Sequence, residues 1–163
     1  MTTIRAANAA DIPHILRLVR GLAAYERLAD KAVATEADFR TLMFGQTPRA
    51  HALVAEPPNN PPAGIAIYYY TISTFAGRPG LFLEDLFVEP AHRGTGLGLA
   101  LLRRLAAIAV EEDCVSIDWR VLEGNQPAID FYESVGAKRM TEWHVRQLQG
   151  DALKALAKGN SHG

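Results

Sequence analysis

The hydrophobic positions of the chain follow two spacings, which predicts both helices and strands. Apolar residues recur at helical intervals in the segment that follows Asp11 and again from Leu97 to Glu112, so both segments are predicted to be helices. Asp11 is interpreted as the cap of the first helix. The residues Thr35 to Asp38 resemble a capping box and predict a second helix that extends through Met43.

Strand patterns occupy much of the remaining chain. The turn from Gly77 to Gly80 predicts an antiparallel hairpin, Gln126 to Val135 predicts a short helix, and the tail from about Asp151 predicts a weak, fraying helix. The predicted strands are Thr3 to Ala6, Ala50 to Ala55, Gly64 to Ser73, Leu81 to Val88, Cys114 to Leu122 and Glu142 to Leu148. This order predicts an α/β (α+β) fold with a mixed, mostly antiparallel central sheet and helices on both faces.

Composition narrows the class of protein. The 163 residues, 48% hydrophobic, suit a single domain covering 1-163. Because 17 basic and 18 acidic residues give a net charge of -1, no nucleic-acid partner is expected. No apolar run is long enough to span a membrane and no signal segment is visible, so we expect a cytoplasmic protein without a membrane partner. The five histidines and Cys114 lack metal-ligand spacing, so no metal site is expected.

Glycines concentrate between the predicted hairpin and the long helix. In the run Arg93-Gly94-Thr95-Gly96-Leu97-Gly98, three glycines at alternate positions allow close approach of a ligand to backbone N–H groups at a helix N-terminus. Arg93 adds a charged donor. The spacing is neither the dinucleotide fingerprint nor the P-loop, and it predicts a phosphate-binding turn. A tight turn without a ligand is the alternative.

Several motifs together resemble one enzyme family. The glycine run is similar to the pyrophosphate-binding signature of the GNAT acetyltransferases. The combination of Leu83 to Val88, Asn125 to Tyr132 and the early Tyr25-Glu26 resembles the branch that contains the diamine (spermidine/spermine N1-) and thialysine acetyltransferases. The resemblance covers about residues 3 to 148. It implies the GNAT fold, acetyl-CoA as cosubstrate without a metal, and a homodimer.

The resemblance also implies cofactor contacts and a general acid. Arg93 to Gly98, that is Arg93, Gly94, Thr95, Gly96, Leu97 and Gly98, would hold the pyrophosphate of acetyl-CoA. The backbone of Leu86, Phe87 and Val88 would contact its pantetheine arm, and Asn125 would contact the cofactor as well. Tyr132 would protonate the departing thiolate, the alternative being a packed helix tyrosine.

Two adjacent carboxylates are candidates for handling the amine. Glu84 is the candidate base, directly or through water, because burial within an apolar strand raises a carboxyl pKa. The alternative is a carboxylate with a purely structural role. Regular alternation would place Glu84 and Asp85 on opposite faces, so they share a site only if the strand contains a bulge, as in the resembled family. Asp85 would then position the amine or accept a structural hydrogen bond.

Further residues are candidates for the acceptor channel. In the resembled family, positions matching Tyr25, Glu26 and Glu84 line this channel and the segment Asp118-Trp119-Arg120 borders it. Glu142 is a further acidic candidate, although Glu26 and Glu142 also fit ordinary surface charges. Arg120 would suit a substrate that also carries a carboxylate.

The expected function is therefore acetyl transfer in a ternary complex to a primary amine of a polyamine, diamine or lysine-like compound. The alternatives are a thialysine or amino-acid N-acetyltransferase, a protein lysine or N-terminal acetyltransferase and, least favoured, a non-catalytic acetyl-CoA-binding module.

Overall fold

A computed structural model describes residues 1–159 of the chain. These residues belong to two compact units, the first spanning Met1–Arg120 and the second beginning at Val121. The expected single domain over 1-163 stays a prediction. No helix among residues 1–159 is long and apolar enough to cross a membrane.

The first unit is a five-stranded sheet with helices on both faces. Its strands are β1 (Thr3–Ala6), β2 (His51–Glu56), β3 (Gly64–Ser73), β4 (Arg78–Val88) and β5 (Ile117–Trp119), and its helices are α1 (Ile12–Tyr25), α2 (Glu36–Phe44) and α3 (Leu97–Glu111). The strands lie side by side in chain order. The first four pair antiparallel and β5 pairs parallel with β4. The predicted fold class is confirmed.

The two faces of the sheet are covered by different helices. Helices α1 and α2 pack with Ile65, Ile67 and Phe87 in one buried cluster, and we call this side the α1 face. On the opposite side, the α3 face, a Cβ added to Gly64 would lie 3.2 Å from Leu101 of α3. Where the pleat is regular, successive side chains of a strand therefore lie alternately on the α1 face and the α3 face.

The start of α1 differs from the prediction. Asp11 forms no capping hydrogen bond with α1. Its buried carboxylate instead accepts hydrogen bonds of 2.7 and 2.9 Å from Arg5, and Asn8 caps the short 3-10 turn before the helix. Burial favours this arrangement because a buried carboxylate needs a cationic partner. The capping box at Thr35 and Asp38 is formed as predicted.

The second unit contains α4 (Gln126–Ser134) and α5 (Gly150–Ala157). The strand predicted from Glu142 to Leu148 is wrong, since this segment is irregular and no strand of the sheet includes it. Alternating apolar residues form a strand only where a neighbouring strand supplies backbone partners. The tail forms α5, and the part of the predicted fraying that falls on residues 160–163 lies outside the described residues.

Candidate active site

A β-bulge in β4 organises the site. Ile67 of β3 pairs with Asp85, whereas the next residue, Tyr68, pairs with Leu83, so Glu84 is the extra residue of β4. Asp85 therefore lies opposite Ile67 on the α1 face, and Leu83 lies opposite Tyr68 on the α3 face. The bulge that the family resemblance implied is present, and the regular alternation that would keep Leu83 and Asp85 on one face does not hold.

Two carboxylates act on Asp85 beside this bulge. Burial, together with the negative charges of Glu84 and Glu26, raises the pKa of Asp85 to about 6. Glu26 caps the C-terminus of α1, and burial raises its pKa also. The first unit thus brings together the three predicted acidic residues Glu26, Glu84 and Asp85. Such a group attracts a cation and can hold a proton near neutral pH.

Arg120 lies next to these carboxylates. Its Nη2 is 3.6 Å from Glu84 Oε1, and its guanidinium carbon lies 5.5 Å from the ring centroid of Phe82. Phe82 in turn stacks on Tyr69, with ring centroids 5.2 Å apart. A cation, an anion and two aromatic rings therefore form one surface at this end of the sheet.

The three residues of the predicted channel border lie on different sides of the sheet. Asp118 pairs in register with Phe82, and Trp119 pairs with Leu83. Asp118 therefore shares the side of Phe82 and Arg120, where its carboxylate accepts a hydrogen bond from Ser116 Oγ at 2.7 Å. Trp119 belongs to the α3 face.

The second half of β4 has an open edge. Strand β5 pairs with β4 only through Leu81, Phe82 and Leu83. Beyond Leu83, no strand among residues 1–159 pairs with that edge of β4. Backbone N–H and C=O groups of the segment Leu86 to Val88 that point to this side can therefore hydrogen-bond an extended ligand, which would occupy the position of a neighbouring strand.

The glycine run after β4 has the geometry of an anion-binding turn. Gly94 and Gly96 have φ angles of 73° and 85°, and Gly96 is the N-cap of the fifteen-residue helix α3. A Cβ added to either glycine would meet no atom within 4 Å, so the space beside this backbone is open. The first N–H groups of a helix lack intrahelical partners and favour a phosphate. The turn fits the pyrophosphate of acetyl-CoA.

Arg93 connects this turn to the end of α1. Its Nε donates to the carbonyl of Val88 at 3.1 Å, and its guanidinium carbon lies 4.6 Å from the centroid of the Tyr25 ring. Both residues line a groove of about 310 Å³ between α1 and the end of β4, together with Arg17, Gly21, Ala24, Phe87, Glu89 and Pro90. Two of these lining residues, Arg17 and Glu89, form an ion pair with each other.

The second unit carries the remaining predicted residues. The side chain of Asn125 caps α4 by accepting a hydrogen bond from the Ala128 N–H at 3.4 Å. Tyr132 lies on α4, its ring 5.3 Å from that of Phe131. Glu142 is exposed in the irregular segment. The roles of these residues stay predictions.

Two aromatic residues of the site, Tyr69 and Phe82, were not predicted from the sequence. Hairpin register was the available signal, because counting pairs outward from the turn at Gly77 places Tyr69 opposite Phe82. Within residues 1–159, no group of three or more histidine, cysteine or acidic side chains could hold a metal ion.

Comparison with known families gives one match that covers most of the chain. The acetyltransferase (GNAT) family matches residues 20–137. This range includes the bulged strand β4, the glycine turn and helix α4.

Curated relatives and a solved structure extend the match beyond that range. Thialysine N-epsilon-acetyltransferase of Bos taurus is 38% identical over 94% of this chain and 96% of its own length. Spermidine/spermine N(1)-acetyltransferase-like protein 1 of Homo sapiens is 36% identical over 94% of this chain and 23% of its own length. The structure of an integron cassette protein from V. cholerae superposes with a TM-score of 0.81 and 27% identity, covering 96% of this chain and 98% of that one.

Proposed function

The chain belongs to the acetyltransferase (GNAT) family and is an acyltransferase that acts on amines, and from this premise we propose that its acceptor is the primary amine of a small polyamine, diamine or lysine-like molecule. One observation carries the proposal. The open edge of β4 begins at the carboxylates Glu84 and Asp85, and the strand is followed, after the short 3-10 turn Pro90–His92, by the glycine turn at the N-terminus of α3. A cationic acceptor and an acetyl donor can therefore bind along the same strand.

Acetyl-CoA, when bound, supplies the activated acetyl group as a thioester. The N–H groups that follow Gly94 and Gly96 would hold its pyrophosphate, with Arg93 as a charged donor, and the backbone of Leu86 to Val88 would align its pantetheine arm. Asn125 would contact the cofactor as well. These contacts fix the donor relative to the carboxylates on β4, which is the positioning part of catalysis.

The proton transfers are assigned to side chains of this protein. The amine nitrogen forms a bond to the acetyl carbon as the carbon–sulfur bond breaks. Glu84 accepts the proton that the amine loses, directly or through water, and the Tyr132 hydroxyl donates a proton to the departing sulfur. Asp85 and Glu26 hold the cationic acceptor, and Tyr25 borders it. Transfer within a ternary complex needs no covalent acetyl-enzyme.

The test is to incubate the protein with acetyl-CoA and separate acceptors while measuring the release of free thiol. The acceptors are spermidine, putrescine, thialysine, lysine and a lysine-containing peptide. Thiol release with the small amines supports the proposal. Release with the peptide alone would favour a protein acetyltransferase, and binding of acetyl-CoA by calorimetry without any release would favour a non-catalytic module.

We further propose that the protein is a homodimer and that it is located in the cytoplasm.

A further inference from the structure

The ion pair between Arg120 and Glu84 lies where the proposed acceptor binds. We propose that this pair selects the acceptor: the carboxylate of a diamino acid replaces Glu84 on Arg120, and the released Glu84 then faces the amine of the same substrate. This inference rests on the proposed acetylation of small amines and names Arg120 as its specificity-determining residue.

The pair is weak enough to be exchanged. Arg120 Nη2 and Glu84 Oε1 are 3.6 Å apart, and the two side chains are 56% and 43% exposed. The distance exceeds that of a normal N–H···O hydrogen bond, so the contact is a charge pair without a strong directional bond. Exposed pairs of this kind contribute little to stability. A substrate carboxylate can therefore displace Glu84 at small cost.

Arg120 is also held in position by an aromatic contact that does not involve Glu84. Its guanidinium lies 5.5 Å from the centroid of Phe82, and Phe82 stacks on Tyr69 with an interplanar angle of 27°. Arginine binds aromatic faces in this way, and its planar fork matches a carboxylate with two parallel hydrogen bonds. When Glu84 moves away, the guanidinium remains positioned on Phe82 and can bind a carboxylate in the stronger bidentate manner.

The charges of the site match those of a diamino acid. The acidic residues Glu26 and Glu84 both act electrostatically on Asp85, and Arg120 adds a cation beside Glu84. A diamino acid carries two amines and one carboxylate, so it satisfies both signs at once. A diamine or polyamine has no carboxylate that could replace Glu84 on Arg120. Its cationic amine therefore meets the positive charge of Arg120 beside Glu84, the carboxylate with which that amine would interact. Arg120 thus favours a diamino acid by attracting its carboxylate and disfavours a diamine by repelling its cationic amine.

The experiment compares L-lysine with cadaverine, which is lysine without the carboxylate. For the native sequence we expect kcat/KM for lysine to exceed that for cadaverine by at least roughly tenfold, mostly through KM, because a charged hydrogen bond supports discrimination of this size. In Arg120→Gln the preference should vanish. Efficiency should fall for lysine and rise for cadaverine, since Glu84 no longer has a competing cation.

Two further variants make the result specific. Arg104→Gln is the matched control, because Arg104 forms a similarly exposed ion pair with Glu111 on α3 and should leave the preference unchanged. Arg120→Lys keeps the charge without the fork and should retain only part of the preference. Thermal unfolding of each variant shows whether it is folded. If Arg120→Gln is misfolded, the comparison is made with Arg120→Lys instead.

Equal efficiency for the two amines in the native sequence would overturn the inference. An unchanged preference in the Arg120 variants would also overturn it. In both cases the amines are still acetylated, so the proposed function survives. Failure of every amine to release thiol would instead overturn the proposed function, and the inference with it.

Discussion

Asp85 offers a direct test of the electrostatics of the site. The residue lies on the α1 face, where burial and the charges of Glu84 and Glu26 raise its pKa to about 6. Above that pH the ionised carboxylate is held in a position that disfavours its charge. The change Asp85→Asn removes the charge and retains nearly the same shape, so we expect it to stabilise the protein at pH 8.

The magnitude follows from the pKa. A rise from the ordinary value of 3.8 to about 6 corresponds to about 3 kcal/mol, at roughly 1.4 kcal/mol per pH unit. Because the folded protein binds this proton more tightly than the unfolded chain, its free energy of unfolding decreases as the pH rises from about 4 through 6. The gain from Asp85→Asn should be small at pH 4 and reach up to about 3 kcal/mol above pH 7.

The assay is denaturation by urea, followed by tryptophan fluorescence at pH values from 4 to 8. Differences between the variant and the native sequence cancel the titration of distant groups such as Asp11. The matched control is Asp113→Asn, because Asp113 is an exposed carboxylate paired with Arg78 at 2.9 Å. That control should change the free energy of unfolding by less than about 1 kcal/mol. A gain from Asp85→Asn that does not depend on pH, or a loss at pH 8, would refute the reasoning.

Three further predictions concern the cofactor, the proton donor and assembly. Gly96→Asp places a side chain and an anion on a backbone with φ of 85° at the start of α3, and should sharply weaken acetyl-CoA binding; native affinity by calorimetry would contradict this. Tyr132→Phe should lower kcat about 100-fold with little change in acetyl-CoA affinity, whereas an unchanged kcat would leave Tyr132 a packing role. Light scattering at micromolar concentration should give a dimer, since exposed Tyr70 and Trp143 offer apolar surface; a monomer would contradict it.

Local patterns were sufficient to predict most of the fold. The helical spacing after Asp11, the capping box at Thr35 and the turn at Gly77 each correspond to an observed element. These signals depend only on neighbouring residues. The segment from Glu142 to Leu148 shows the limit, because a strand also requires a partner that no local pattern specifies.

The site was less predictable because its contacts join residues that are distant in sequence. The glycine turn was visible in the sequence, since positive φ angles at Gly94 and Gly96 require that residue type. The stacking of Arg93 on Tyr25 and the position of Arg120 on Phe82 depend on how the helix and the strands meet. No spacing rule connects such pairs.

The bulge at Glu84 explains how one strand serves both a core and a site. If β4 instead paired regularly beyond Leu83, Asp85 would pair with Ala66 and lie on the α3 face among buried apolar side chains, and Phe87 would leave the cluster that it forms with α1. A carboxylate without a partner in an apolar layer is strongly unfavourable. The bulge instead keeps Leu81 and Leu83 on the α3 face while Asp85 and Phe87 lie on the α1 face. The same irregularity therefore preserves the packing of β4 and places two adjacent carboxylates where a cationic acceptor can reach them.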